Sequence, residues 1–173
     1  MKKEYLLVVL LVMTTVLVAC SATIEEEKEK TLEDVEQIFE EEPNRPNEHI
    51  EELSFRLPFR TSIVEESDNN VIIEKSNDTF VLFYHQNEEA GNDVVYTMTT
   101  KDTENPWMVN ETFEDGDSIG YVLMRQENEE EYELVTGIDD VKLTTISSLE
   151  DLSKNASWMM ETVKSVEWNN ESE

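Results

Sequence analysis

Between Leu53 and Ile146 the apolar residues come in short runs, such as Val71-Ile72-Ile73 and Phe80-Val81-Leu82-Phe83-Tyr84, closed by Asn, Asp or Gly. Runs of this length suit strands better than helices, and Asn/Asp-rich closures are what tight hairpins require. Strands are predicted at Leu53–Leu57, Ile63-Val64, Val71–Lys75, Thr79–His85, Val94–Thr100, Trp107–Phe113, Ile119–Met124 and Tyr132–Val135, with a short one at Lys142–Ile146. Pro58 limits the first of these to an edge or an end. The pattern predicts an antiparallel meander of about six to eight strands.

Helical spacing occurs only at the two ends of this region. Thr31-Leu32-Glu33-Asp34 offers an N-cap with an acid three residues on; Leu32, Val35, Ile38 and Phe39 follow, and Pro43 stops the run. Near the C-terminus, Ser147-Ser148-Leu149-Glu150 reads as a capping box. Leu149, Leu152, Ala156, Met159, Val163 and Val166 then recur in steps of three and four, with Met160 widening the stripe. The expected fold class is therefore α+β: one domain over residues 31–168, its antiparallel sheet flanked by an N-terminal and a C-terminal amphipathic helix. Residues 20–30 read as an acidic flexible tether, and residues 169–173 as a polar tail.

Charge decides what such a domain can meet. Without residues 1–19 the remaining 154 residues carry 11 basic and 40 acidic side chains, a net charge of −29. That field repels nucleic acid phosphates and anionic lipid headgroups, so nucleic acid is excluded as a partner and any membrane attachment must come from elsewhere. Low hydrophobicity with high charge is also the signature of disorder. Here the clustering of apolar residues into strand-length runs argues for a folded core beneath an acidic surface.

The first twenty residues supply the attachment. Lys2-Lys3 precede an uncharged run from Tyr5 to Ala19, then Cys20. At ~1.5 Å per residue that run covers ~22 Å as a helix, short of the ~30 Å hydrocarbon core, so it suits an export signal better than a permanent span. The segment Leu17-Val18-Ala19-Cys20 resembles the lipobox of bacterial lipoproteins. The resemblance implies a diacylglycerol on the Cys20 sulfur and removal of residues 1–19 as a signal peptide. The protein would then be a lipid-anchored one on the extracytoplasmic face of a bacterial membrane. Cys20 is the only cysteine, so no intramolecular disulfide can form. Further along, the order of helix, Phe55-x-Leu57-Pro58 strand, meander, Gly137 and closing helix Leu149–Val166 resembles PsbP-like domains and small Gram-positive lipoproteins of unknown function. That resemblance implies the fold class and carries over no catalytic residue.

Reactive constellations are not expected. The sequence has no Gly-x-Ser-x-Gly elbow, no His-Glu-x-x-His and no cysteine pair, and its two histidines, His49 and His85, read as loop and strand-end residues. Asp115-Gly116-Asp117 begins like a calcium loop, but Ile119 and Gln126 stand where oxygen ligands are needed, so a hairpin turn is expected. No metal, cofactor or catalytic role is predicted. The expected function is a non-enzymatic interaction or sensing module of the cell envelope, with another envelope protein as partner. The alternative is a carrier for a small apolar ligand or lipid, held between sheet and C-terminal helix by residues such as Phe83, Tyr96 and Met160. Trp107, following Pro106, is a further candidate as an exposed binding anchor. Self-repulsion of the acidic surface also makes a testable claim: adding NaCl should raise the melting temperature, read by circular dichroism. An unchanged or lower value would remove surface repulsion as a major stability term.

Overall fold

Four tight hairpins organise the chain, each joining two strands through two residues. They are Asp68-Asn69, Ser76-Asn77, Gly116-Asp117 and Asp139-Asp140. In three of them the first residue has positive φ: Ser76 at 62°, Gly116 at 64° and Asp139 at 50°. Such geometry matches the right-handed twist of the flanking strands and favours Gly and Asp at these places. The computed structural model describes residues 23–85, 92–101 and 104–169. The signal segment with Cys20, and residues 170–173 of the expected tail, lie outside the described residues.

The elements are α1 (Ile24–Glu40), β1 (Glu48–His49), β2 (Leu53–Phe55), β3 (Thr61–Ser67), β4 (Asn70–Lys75), β5 (Asp78–Tyr84), α2 (Val94–Thr100), β6 (Val109–Asp115), β7 (Ser118–Gln126), β8 (Glu131–Ile138), β9 (Val141–Ser148), a 3₁₀ turn (Leu149–Asp151), α3 (Leu152–Lys164) and β10 (Glu167–Trp168). Seven strands form one antiparallel sheet in the order β3-β4-β5-β9-β8-β7-β6, and β1-β2-β10 form a small second one. The fold is α+β. The large sheet consists of two meanders, β3–β5 and β6–β9, joined where β5 pairs with β9.

Alternation along the strands gives the large sheet two faces. The inner face is apolar: Val71 and Ile73 on β4, Phe80 and Leu82 on β5, Leu143 on β9 and Leu134 on β8 are all fully buried. On it lies α3, whose Leu152, Ala156, Met159 and Met160 are equally buried, while Trp158 meets Phe80 edge-on at 4.5 Å between ring centroids. Beside α3, α1 contributes Val35 and Phe39 to the same core. The two helices are tied by a Ser153 hydroxyl donating to Asp34 at 2.5 Å and by the Lys164 ammonium donating to the Ile38 and Phe39 carbonyls. Lys164 thereby serves the Phe39 carbonyl and adds to the Glu41 amide already on the Ile38 carbonyl, at the end of a helix whose last turn has no basic residue of its own.

Four expectations need correction. Ser147 and Ser148, expected to open a capping box, end β9 and make no side-chain cap bond, and α3 starts at Leu152 after a 3₁₀ turn and not at Leu149. Val94–Thr100, read as a strand, is the helix α2. Its β-branched residues favour strand locally, but Thr99 and Thr100 hydroxyls donate back to the Val95 and Tyr96 carbonyls at 2.7 and 2.9 Å, and Val95 is buried. Tertiary burial thus outweighs propensity, since Thr back-bonds to i−4 carbonyls do not themselves stabilise a helix. The first helix begins at Ile24 and not near Leu32, so the expected flexible tether is helical from residue 24 onward. Thr23 supplies the cap: its hydroxyl accepts from the Glu26 amide, the Glu26 carboxylate accepts from the Thr23 amide, and Glu25–Glu27 sit at the positive end of the helix dipole. Thr31, expected as the cap, is buried inside the helix. The polar tail, expected from residue 169, holds Asn169 in place, its amide nitrogen donating to the Glu52 carbonyl at 2.9 Å.

Close packing on the outer face is set by Gly137. A Cβ there would lie 2.1 Å from Cζ and 2.3 Å from the hydroxyl of Tyr121, whose ring crosses β8 at this point. Gly137→Ala should therefore lower the urea unfolding midpoint, at a cost of about 1–3 kcal/mol from overpacking. A midpoint equal to that of the unsubstituted protein would show that the Tyr121 ring moves aside freely.

Candidate functional site

The sequence candidates are divided between two faces of the sheet. Met160 lies on α3 against the inner face and is fully buried. Phe83 and Tyr96 belong to the outer face, so the three do not line a common cavity. The space between the sheet and the body of α3 is filled by Phe80, Trp158, Met159 and Met160 themselves, while at the C-terminal end of α3 a cavity of 350 Å³ is lined by Ile138, Val141, Val163, Val166 and Trp168, none of them a sequence candidate. Trp107 is half-buried on the outer face, with the Arg125 guanidinium 4.5 Å from its ring centre, and its indole nitrogen is buried without a partner. It is not the exposed anchor expected.

On the outer face, cross-strand partners form a row: Phe83 opposite Lys142, Lys142 opposite Gly137, Gly137 opposite Tyr121. The missing side chain at Gly137 lets the Tyr121 ring lie down within this row. Tyr96 from α2 stacks on Tyr121 at 5.3 Å and donates its hydroxyl to Asn110 at 2.9 Å. Lys142 donates to the Thr99 hydroxyl at 2.9 Å and sits 5.6 Å from the Phe83 ring centre. Burial pushes its ammonium below the ordinary lysine range, with Glu133 acting in the opposite direction. Burial likewise pushes the Tyr121 phenol upward, reinforced by Asp140 and Asp139. The Asp140 carboxyl is raised by burial, against the pull of His85. Sequence reading missed Tyr121 and Lys142, although Gly137 between two strand-forming runs was a signal of close approach. What this row does is hold α2 to the sheet.

A different feature is open to solvent. Among the described residues the sheet ends at β6, which is hydrogen-bonded to β7 on one side only. α1 runs alongside, and between helix and strand lies a groove in two stretches. One of 560 Å³ is lined by Glu36, Phe39, Glu40 and residues 112–115, and the other of 430 Å³ by Glu25, Lys28, Glu29, Leu32 and residues 108–111. Phe39 and Phe113 form its aromatic floor, with ring centroids 5.8 Å apart. Phe39 is positioned by α1 packing and by Gly120 on β7, where a Cβ would come within 2.5 Å of the Phe39 ring. Around this floor the walls are carboxylates from both elements.

Lys164 is the base set against this end of α1. Burial pushes its ammonium below the usual range, while Asp115, Glu42, Glu41 and Glu40 act in the opposite direction. It offsets part of the negative charge at this end of the groove, where Glu36, Glu40, Glu114 and Asp115 still outnumber it. Among the described residues, no group of three or more His, Cys, Asp or Glu side chains is arranged to hold a metal ion. His49 is engaged with the Ser54 hydroxyl at 2.8 Å, and residues 115–118 form the expected hairpin. Among the described residues, no helix is long and apolar enough to cross a membrane. No family model, curated protein or solved structure matches the chain.

The outer-face row makes its own expectation. The Tyr121 hydroxyl is fully buried and has no hydrogen-bond partner. A buried hydroxyl left unpaired costs about 1–3 kcal/mol, so Tyr121→Phe should leave stability unchanged or raise it by up to that amount. A clear fall in the urea midpoint would reveal a partner for the phenol.

Proposed function

We propose that this protein is held by lipid on Cys20 at the extracytoplasmic face of a bacterial membrane, and works there as a non-enzymatic interaction module of the envelope. The observation that carries the reading is the N-terminal series: Lys2-Lys3, a short uncharged apolar run, Leu17-Val18-Ala19-Cys20, and then a structured domain almost at once. Only residues 21–23 separate Cys20 from the first turn of α1. Two acyl chains anchor a protein stably in a bilayer, where a single chain binds only marginally. With the lipid so close to α1, the helix start would lie near the headgroups, and a net charge of −29 would push the rest of the domain away from an anionic surface.

The interaction part of the reading rests on the groove along β6, which is the open concave feature nearest that helix. A carrier role would need an enclosed apolar cavity between sheet and α3; Trp158 and Met159 pack that space, and the 350 Å³ opening at the end of α3 is smaller than the groove and rimmed by Asp139, Asp140 and Lys164, so the groove is the better supported of the two. Cys20→Ser should move the protein from the membrane fraction to the soluble fraction and remove the acyl mass from the mature chain. Retention of the variant in the membrane, or an intact mass showing Cys20 unmodified, would overturn the anchoring.

A further inference from the structure

We propose that the groove between α1 and β6 receives an extended basic segment of a partner protein, which adds to the large sheet as a strand beside β6. This rests on reading the protein as an interaction module and names the partner chemistry that module would take.

The two edges of the sheet differ. β3 is broken by a register shift between Ile63 and Glu65, a device that spoils an edge for further pairing. β6 pairs with β7 in unbroken register from Val109 to Asp115, and within it there is neither Lys nor Pro. Its free side therefore offers a regular row of backbone donors and acceptors, the template that strand addition uses. Strand addition also needs space beside the edge for alternate side chains of the incoming segment. The groove supplies it on the α1 side, with 560 and 430 Å³ in series along the length of β6.

Charge then selects the occupant. A second copy of this chain would add its own Glu111, Glu114 and Asp115 to an edge that already carries the same three, and crowding six carboxylates along one strand pair is unfavourable. Glu36 and Glu40 on α1 add to the same field, at the negative end of the helix dipole. A segment alternating basic and apolar residues answers both parts of the groove. Its apolar side chains rest on Phe39 and Phe113 while its bases meet the carboxylate walls. The surrounding negative potential speeds its approach.

The probe is a capped peptide alternating lysine and valine, as long as β6, added to the full-length protein in detergent micelles. Backbone hydrogen exchange read by mass spectrometry should slow about tenfold or more over Val109–Asp115 at saturating peptide. The double variant Glu36→Lys, Glu114→Lys should bind about tenfold or more weakly, and unchanged protection at Asn70–Lys75 shows that it is folded. Binding without protection of β6, equal binding of a peptide alternating aspartate and valine, or no binding at all would each overturn the proposal. None of these readouts depends on lipid at Cys20, so the anchoring stands or falls separately.

Discussion

The pairing of β5 with β9 is the constraint on which the rest of the architecture depends. Each meander is local, built from hairpins closed by two residues, and neither has a complete core without the other. Five residue pairs from Phe80↔Thr145 to Tyr84↔Val141 join them, and the Thr145 hydroxyl reinforces the seam by donating to the Thr79 carbonyl at 2.8 Å. Contacts between residues so distant in sequence carry a large loop-closure cost and tend to form late. α3 helps to meet that cost. It leaves β9 directly, and its Trp158 packs on Phe80 of β5 and lies under the Lys75 ammonium of β4, so it spans the seam from above.

The seam also decides where the exposed edge falls. If β6 had simply followed β5, as a continuous meander would have it, β6 would be an interior strand. Because β9 occupies that place, the chain after β5 must cross the sheet to its far side, and α2 lies on the outer face along that crossing. Tyr96 on Tyr121 and Thr99 under Lys142 hold α2 there. The edge at β6, and with it the groove beside α1, is thus a consequence of a pairing at the middle of the sheet.

This explains which parts were legible in the sequence. Hairpins are encoded locally, so Asn, Asp and Gly punctuation revealed most strands and both terminal helices. α2 was not legible because Val94, Val95 and Tyr96 have strand propensity, and only burial against Tyr121 and Val135 makes the helix worthwhile. The start of α1 was obscured by its run of glutamates, which reads as a solvated spacer unless the Thr23–Glu26 cap is recognised. Phe83, Tyr96 and Met160 were read as lining one cavity between the sheet and the C-terminal helix. Periodicity fixes which residues of one strand share a face, but it does not say which helix covers that face, and the three were divided accordingly. Strand order is equally invisible to local pattern, so the edge status of β6 could not be read from Val109–Asp115 alone.

Acidity at this edge has two physical consequences that pull in the same direction. A regular, unbroken edge strand invites pairing with copies of itself, and proteins commonly block it with lysine, proline or a bulge. Here the edge carries glutamate and aspartate instead: a second copy would add its own Glu111, Glu114 and Asp115 to the three already present. Repulsion of this kind is selective, because it forbids acidic strands while leaving the backbone edge intact. A blocking proline would have closed the edge to every partner. A strand of opposite charge would meet no such repulsion at this edge, where Glu36, Glu40, Glu114 and Asp115 outnumber the single Lys164 ammonium beside them, and that asymmetry is what favours the basic segment proposed as occupant.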